Sequence, residues 1–230
     1  MAATQTDTLR LFTALLLFEA EWAGRLLVSV GLNDAGRTLA LASVAAGAAS
    51  LFLEAEERAI REASREGCCT FSVTSLDEAL RILKNEIRQR RAVSVALHCE
   101  PADVLREMVE RGVLPYALAA SCEVKPVASL QTMMQWGAVC LHGFGLQSCS
   151  ASSVELEDLL AASSFVELHI ETDVASSLRE RAQRDAELLA ANMPHEFAPF
   201  AARWFAVCPQ LFARSRERSY WAELHHETIA

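Results

Sequence analysis

Gly31 and Gly36 bracket a short polar turn, Gly31-Leu-Asn-Asp-Ala-Gly36. It follows the apolar run Arg25-Leu-Leu-Val-Ser-Val30 and precedes an alanine-rich stretch from Arg37 to Gly47. A second apolar run, Ala49-Ser-Leu-Phe-Leu-Glu54, ends in acid. Strand, turn, small-residue helix, strand and acid is the order of a dinucleotide-binding βαβ unit. In such a unit the helix start faces a phosphate and the acid meets a ribose. The residues that could do this chemistry are Gly31, Asn33, Asp34, Gly36, Arg37 and Glu54, with Glu56 beside the last. Glycines let the backbone approach a pyrophosphate and offer unobstructed N–H donors. Asp34 places a carboxylate where a phosphate belongs, and Arg37 offers a fork that could offset it. Asp34 serves equally well as a helix cap that fills the phosphate position itself. Glu54 and Glu56 read either as ribose ligands or as the acidic start of the next helix.

His98, Cys99 and Glu100 stand together at the end of another apolar run, Ala92 to Leu97. A thiol beside a histidine can form a reactive thiolate. Neighbours on a strand point to opposite faces, however, so the two need not meet. Cys140 and His142 share a strand face, but no second pair with ligand spacing follows, which favours a buried thiol over a metal site. Arg214, Arg216 and Arg218 straddle Glu217 near Tyr220 and Trp221, as an anion site or as a solvated helix face. His225-His226-Glu227 reads as a frayed end.

The elements that position these residues alternate. A first helix is expected from Thr6 or Asp7 to about Ala23, closed by Gly24. Strands follow at Leu26 to Val30, Ser50 to Leu53, Cys69 to Val73, Ala92 to Leu97 and Val113 to Leu118. Between them lie helices at Asp34 to Ala46, Glu56 to Glu66, from a cap at Thr74 or Ser75 to about Arg90, and Ala102 to Arg111. Beyond Glu123 the pattern weakens to a helix at Val127 to Trp136 and strands at Ala138 to His142 and Phe165 to Ile170. Helices are then expected at Ala175 to Asn192, Phe197 to Val207 and Gln210 to His225, each proline marking a helix start. This alternation implies a mainly parallel sheet with helices on both faces. Ligands in such sheets sit beyond the carboxyl ends of the strands.

The 230 residues carry a formal net charge of −9, which argues against a nucleic-acid or anionic-membrane partner. The seven cysteines are odd in number and follow no disulfide or zinc spacing, so they read as reduced thiols in a cytoplasmic protein. The apolar run Leu11 to Phe18, bracketed by Asp7 and Glu19, is too short to span a bilayer and reads as a buried helix.

Several segments together resemble the urocanase (urocanate hydratase) family, in its NAD-binding domain. They are Ala23 to Leu32, Ala45 to Ala48, Leu53-Glu54, Ser75 to Leu80, Val93 to Leu97, Ala102 to Leu105 and Arg111 to Pro115. They stay collinear with the family over roughly residues 9 to 120. The resemblance implies a Rossmann-like fold and a nucleotide site. In urocanases NAD+ acts as an electrophile toward the imidazole ring of the substrate. The departures fall at functional positions. Asn33-Asp34 and Arg37 replace part of a glycine run, Cys99-Glu100 replaces a Gly-Asn pair, and Ala119 to Glu123 replaces a Thr-Asp-Gln-Thr-Ser run.

The expectation is therefore an α/β fold with a mainly parallel Rossmann-like sheet, helices on both faces and a helical C-terminal appendage. The sheet domain is expected over residues 1–172 and the appendage over 173–230, packed on the domain or on a second subunit. Its heavy aromatic load (Trp204, Phe205, Phe212, Tyr220, Trp221) suggests a homodimer. The function expected is that of a stand-alone urocanase-like protein without hydratase activity. Its degenerate cleft, formed by Gly31, Asn33, Asp34, Gly36, Arg37, Glu54, Cys99 and Glu100, would serve a nucleotide-like small molecule or none. No bound cofactor is expected, NAD being the one the resemblance implies. The alternatives are an enzyme using His98, Cys99 or Glu100, and a dimeric scaffold.

Overall fold

The computed structural model describes residues 4–124, 128–148, 153–161, 163–169, 177–191, 200–213 and 219–225. In chain order the elements are α1 (Gln5–Phe18), β1 (Leu26–Val30), α2 (Asp34–Ala45), β2 (Ala49–Glu54), α3 (Glu57–Glu66), β3 (Phe71–Val73), α4 (Leu76–Arg88), β4 (Val93–His98), α5 (Pro101–Glu110), β5 (Ala117–Ala120), α6 (Ala128–Gln135), β6 (Val139–His142) and β7 (Val154–Glu155). A 3-10 turn (Asp158–Leu160), β8 (Ser163–His169), α7 (Leu178–Ala191), α8 (Ala201–Leu211) and β9 (Ser219–His225) follow.

Seven strands form one wholly parallel sheet in the order β3-β4-β2-β1-β5-β6-β7. The strands read as apolar runs because both faces are covered. Leu27, Phe52, Ala96 and Ala119 face a cluster built on α1, α2 and α8, while Val28, Leu51, Val95 and Leu118 face one built on α4, α5 and α6. Side chains on one strand alternate between the two clusters, as pleating requires. β1 lies between β2 and β5. The chain leaves β2's side of the sheet and returns on the far side of β1, which makes the β1/β5 edge the topological switch point, where ligands lodge in such sheets.

Several boundaries move from their expected places, each for a local reason. α1 stops at Phe18, short of Ala23, because the loop after it closes on itself. The Trp22 indole N–H donates to the Leu15 carbonyl at 2.9 Å, and Glu19 accepts from the Glu21 amide at 3.1 Å. β5 begins at Ala117, not Val113, since Pro115 has no N–H to give a ladder. β3 is confined to Phe71–Val73.

The C-terminal part differs most. The helix expected over Gln210 to His225 does not form as such among the described residues. α8 runs through Pro209 to Leu211, and Ser219–His225 is a strand paired antiparallel with β8. Pro209 therefore lies near the end of a helix and not at the start of one. α8 packs on the sheet domain, where Trp204 lies 5.2 Å from Phe12 between ring centroids. Arg203 donates to the Ala46 carbonyl at the end of α2, reaching it through the space Gly47 leaves open. A β-carbon there would lie 2.5 Å from the guanidinium. A cation at a helix C-terminus also meets the negative end of its dipole.

Candidate functional site

The first polar turn holds its shape through its own side chains. Gly31 has φ +90°, and its N–H donates to the Leu53 carbonyl at 2.8 Å. A β-carbon on Gly31 would come within 2.6 Å of Ser121 Oγ, and one on Gly36 would press into the Gly31 carbonyl. Both glycines are thus required by close packing of the turn against the end of β5. The helix cap is Asn33, not Asp34. Asn33 Oδ1 accepts from the Gly36 amide at 3.1 Å, and its Nδ2 donates to the Ser121 carbonyl. Asp34 falls one position later, inside the first turn, and accepts from Arg37.

Arg37 is buried among carboxylates. Its guanidinium meets Asp34, Glu62 at 3.5 Å and Glu66 at 3.3 Å. Burial pulls its pKa down, but the Asp34 hydrogen bond and the charges of Glu66 and Asp34 outweigh that and raise it. Its fork is committed to these acids, and Nε keeps no well-aligned hydrogen bond. Arg37 lines an open depression of about 400 Å³ with Leu32, Asn33, Asp34, Ala35, Ala59 and Glu62.

Glu54 does stand at the end of the second strand, where a ribose acid belongs. Its carboxylate accepts from the Leu32 amide at 2.7 Å and from the Glu56 amide at 2.8 Å. The acid thereby clamps the turn beside it. The structure brings Gly31, Asn33, Asp34, Gly36, Arg37 and Glu54 into one locality.

Cys99 and Glu100 stand further off in their chemistry. The Cys99 amide donates to the Glu54 carbonyl at 3.0 Å, but its thiol packs against the cluster under α4, α5 and α6. Burial first, then the charges of Glu100, Glu54 and Asp103, push that thiol up to about 12, against the Glu54 backbone bond that lowers it. The His98 ring lies on the opposite side, 3.0 Å from the Ala55 carbonyl. Glu100 occupies the cap position of α5 without a side-chain cap bond. A thiolate–imidazole pair does not form here.

His142 Nδ1 meets Glu155 Oε2 at 2.7 Å and Cys140 is buried. Among the described residues no three His, Cys, Asp or Glu side chains gather as metal ligands. Arg214, Arg216, Arg218, His226 and Glu227 lie outside the described residues.

Ser121, Cys122, Glu62 and Glu66 belong to this locality but do not stand out in the sequence. Glu62 and Glu66 are four apart on one helix face, which marks a shared face but not the buried arginine they meet. Ser121 acts through its backbone carbonyl, which no side-chain pattern reveals.

The model of the urocanase Rossmann-like domain matches residues 6–124, just over half of the chain. The chain belongs to the urocanase Rossmann-like domain family. The urocanase-type segment runs from α1 to the turn after β5, so it includes the whole switch point. Everything from α6 onward, including the helix that caps α2, lies beyond the urocanase-type match. No helix among the described residues is long and apolar enough to cross a membrane.

Proposed function

We propose that this chain is a urocanase-type Rossmann module without hydratase activity, whose cleft is a degenerate nucleotide site. The observation that carries this reading is the capture of the Leu32 amide by Glu54. A dinucleotide cradle needs backbone donors free to meet a pyrophosphate and an acid free to meet a ribose. Here one donor and the acid satisfy each other. The Gly36 amide is likewise taken by Asn33, and Asp34 adds a carboxylate in the first helical turn.

The residues therefore fit an NAD pyrophosphate poorly. The room that two glycines open is filled by the Gly31 carbonyl and Ser121, and Arg37 is already neutralised by carboxylates. No reaction step is derived through NAD.

An enzyme built on His98, Cys99 and Glu100 has less support, because the Cys99 thiol is held protonated and faces away from His98. Dimerisation through the C-terminal aromatics also has less support, since Trp204 and Phe205 are buried within one chain.

Isothermal titration of the full chain with NAD+ up to millimolar concentration tests the reading, together with a spectrophotometric urocanate assay. The expected outcome is no saturable heat and no urocanate consumption. Saturable binding or turnover of urocanate overturns it.

A further inference from the structure

Residues 143–148, after β6, lie beyond the urocanase-type match, yet they reach the switch point. Gly143, Phe144 and Gly145 all have left-handed φ, at 97°, 53° and 81°. Backbone bonds of 3.2 Å from the Gly143 amide to the Leu146 carbonyl, and of 2.9 Å in return, close the turn. Two central residues at positive φ are the mark of a type I′ turn, which favours Asn and Gly. Phenylalanine at the first of them is strained, because its β-carbon crowds the backbone.

Three contacts tie this turn to its surroundings, one each to β5, α2 and α1. The Gln147 amide donates to the Ala120 carbonyl, at the end of β5, at 2.7 Å. A β-carbon on Gly145 would lie 3.2 Å from that of Ala35, in the first turn of α2 and on the rim of the depression. The Arg10 guanidinium sits 5.4 Å above the Phe144 ring, from the helix beside α2.

The turn is also held from behind. Glu157 Oε1 accepts from the Phe144 amide at 3.0 Å. That carboxylate supplies the acceptor for the one residue whose backbone is unfavourable there. Strain persists only where its surroundings over-determine it, and here the Glu157 carboxylate acts together with the Gly143–Leu146 bonds and the Arg10 guanidinium, so loss of the carboxylate weakens the hold on the whole turn.

We infer that the Gly143–Leu146 turn is a strap, latched by Glu157, that braces the α2 start against the β1/β5 switch point. This inference rests on reading that locality as the cleft. It adds that the rim of the cleft at Ala35 is braced by a segment from outside the urocanase-type domain, and that protection of the α2 start is coupled to the hold on the strap.

Hydrogen–deuterium exchange on the full chain tests the coupling without any ligand. In Glu157→Ala, amides 144–147 and the Gly36 and Arg37 amides should both exchange faster, by roughly tenfold, the change expected from one lost hydrogen bond. β2 and β4 amides should be unchanged. Glu157→Gln keeps one acceptor oxygen for the Phe144 amide and leaves the Arg10–Phe144 contact in place, so both segments should exchange at close to the wild-type rate. Acceleration confined to 144–147 in Glu157→Ala, or acceleration in Glu157→Gln equal to that in Glu157→Ala, overturns the strap. Titration of the wild type with NAD+ separates the two ideas. Binding would sink the reading of the cleft as degenerate while leaving coupled exchange intact.

Discussion

The Glu54 carboxylate lies 2.7 Å from the Leu32 amide, so the last residue of one strand restrains the first turn after its neighbour. This contact crosses from β2 to the β1–α2 turn and is charge-assisted. Such bonds contribute more than neutral ones. Glu54→Gln should destabilise the fold by about 1–2 kcal/mol, because its one carbonyl oxygen can serve only one of the Leu32 and Glu56 amides and its NH2 faces the other. Urea unfolding monitored by circular dichroism reads this directly. An unchanged midpoint would show the clamp to be dispensable.

Two glycines with different surroundings give a paired test. Gly36→Ala drives a β-carbon into the Gly31 carbonyl and toward Ser121 Oγ, neither of which can give way cheaply. The cost should be on the order of 3 kcal/mol. Gly67 ends α3 at φ +82° with no atom within 4 Å of an added β-carbon. Gly67→Ala should cost only about 1 kcal/mol, the strain of the left-handed cap. Equal losses on thermal melts would refute the close-packing account of Gly36.

The C-terminal helix should be inseparable from the sheet domain. Trp204→Ala removes a fully buried ring from between Phe12 and Phe212 and should cost about 3–5 kcal/mol. Arg203→Ala removes the cation from the end of α2 and should cost about 1.5–3 kcal/mol. If both variants unfold with the wild-type midpoint, α8 is an accessory to the domain and not part of its core.

Thiol reactivity should follow burial. With its pKa pushed up to about 12, Cys99 holds a negligible thiolate fraction at neutral pH, and Cys68 and Cys69 stand at about 12 and about 11 for the same desolvation. Cys122 is exposed. Brief alkylation at pH 7 followed by peptide mass spectrometry should label Cys122 well before Cys68, Cys69 and Cys99, and urea should equalise them. Rapid native labelling of Cys99 would revive a nucleophilic cleft.

Acid should loosen the amino-terminal loop. Tyr116 donates to Glu19 at 2.8 Å, and this bond, then the Glu21 amide and Arg25, hold the Glu19 carboxyl below the usual carboxylate range. A depressed folded pKa contributes stability that is complete above the ordinary value and is lost as pH falls through the folded one. The stability gap between wild type and Glu19→Gln should therefore be constant at neutral pH and shrink below about pH 4. The Tyr116 hydroxyl, raised by burial and by Glu19, contributes in the opposite window, below about pH 10, and loses this as pH climbs through its folded value. A gap that stays level from pH 7 to pH 3 would contradict the Glu19 assignment.

How much was legible in the sequence depends on how local each cause is. The apolar runs Leu26–Val30 and Ala92–Leu97 announce buried parallel strands because every position is apolar or small. Thr74 or Ser75 announces α4 as a cap candidate, and Ser75 is the one that takes the bond, three residues away. Asn33 was harder to tell from Asp34, since both are good caps and the choice falls to the Ser121 carbonyl, 88 residues distant. The strand Ser219–His225 reads as helix when alone. Its pairing with Ser163–His169 is a long-range contact that no window of sequence contains. The site follows the same rule. Glu54 is placed by its strand, whereas its partner Leu32 and the acids around Arg37 are decided by how separate elements meet.

The central place of β1 in the sheet has a consequence for synthesis. Its neighbours are β2 and β5, and β5 ends at Ala120, so nearly a hundred residues must emerge after β1 before its second edge is paired. The α1 face waits longer still, for Trp204. Chains that depend on such distant pairings reach their native form slowly and expose sticky edges meanwhile. A nascent polypeptide stalled near its midpoint should accordingly be prone to aggregation and to chaperone capture, while the finished one is not.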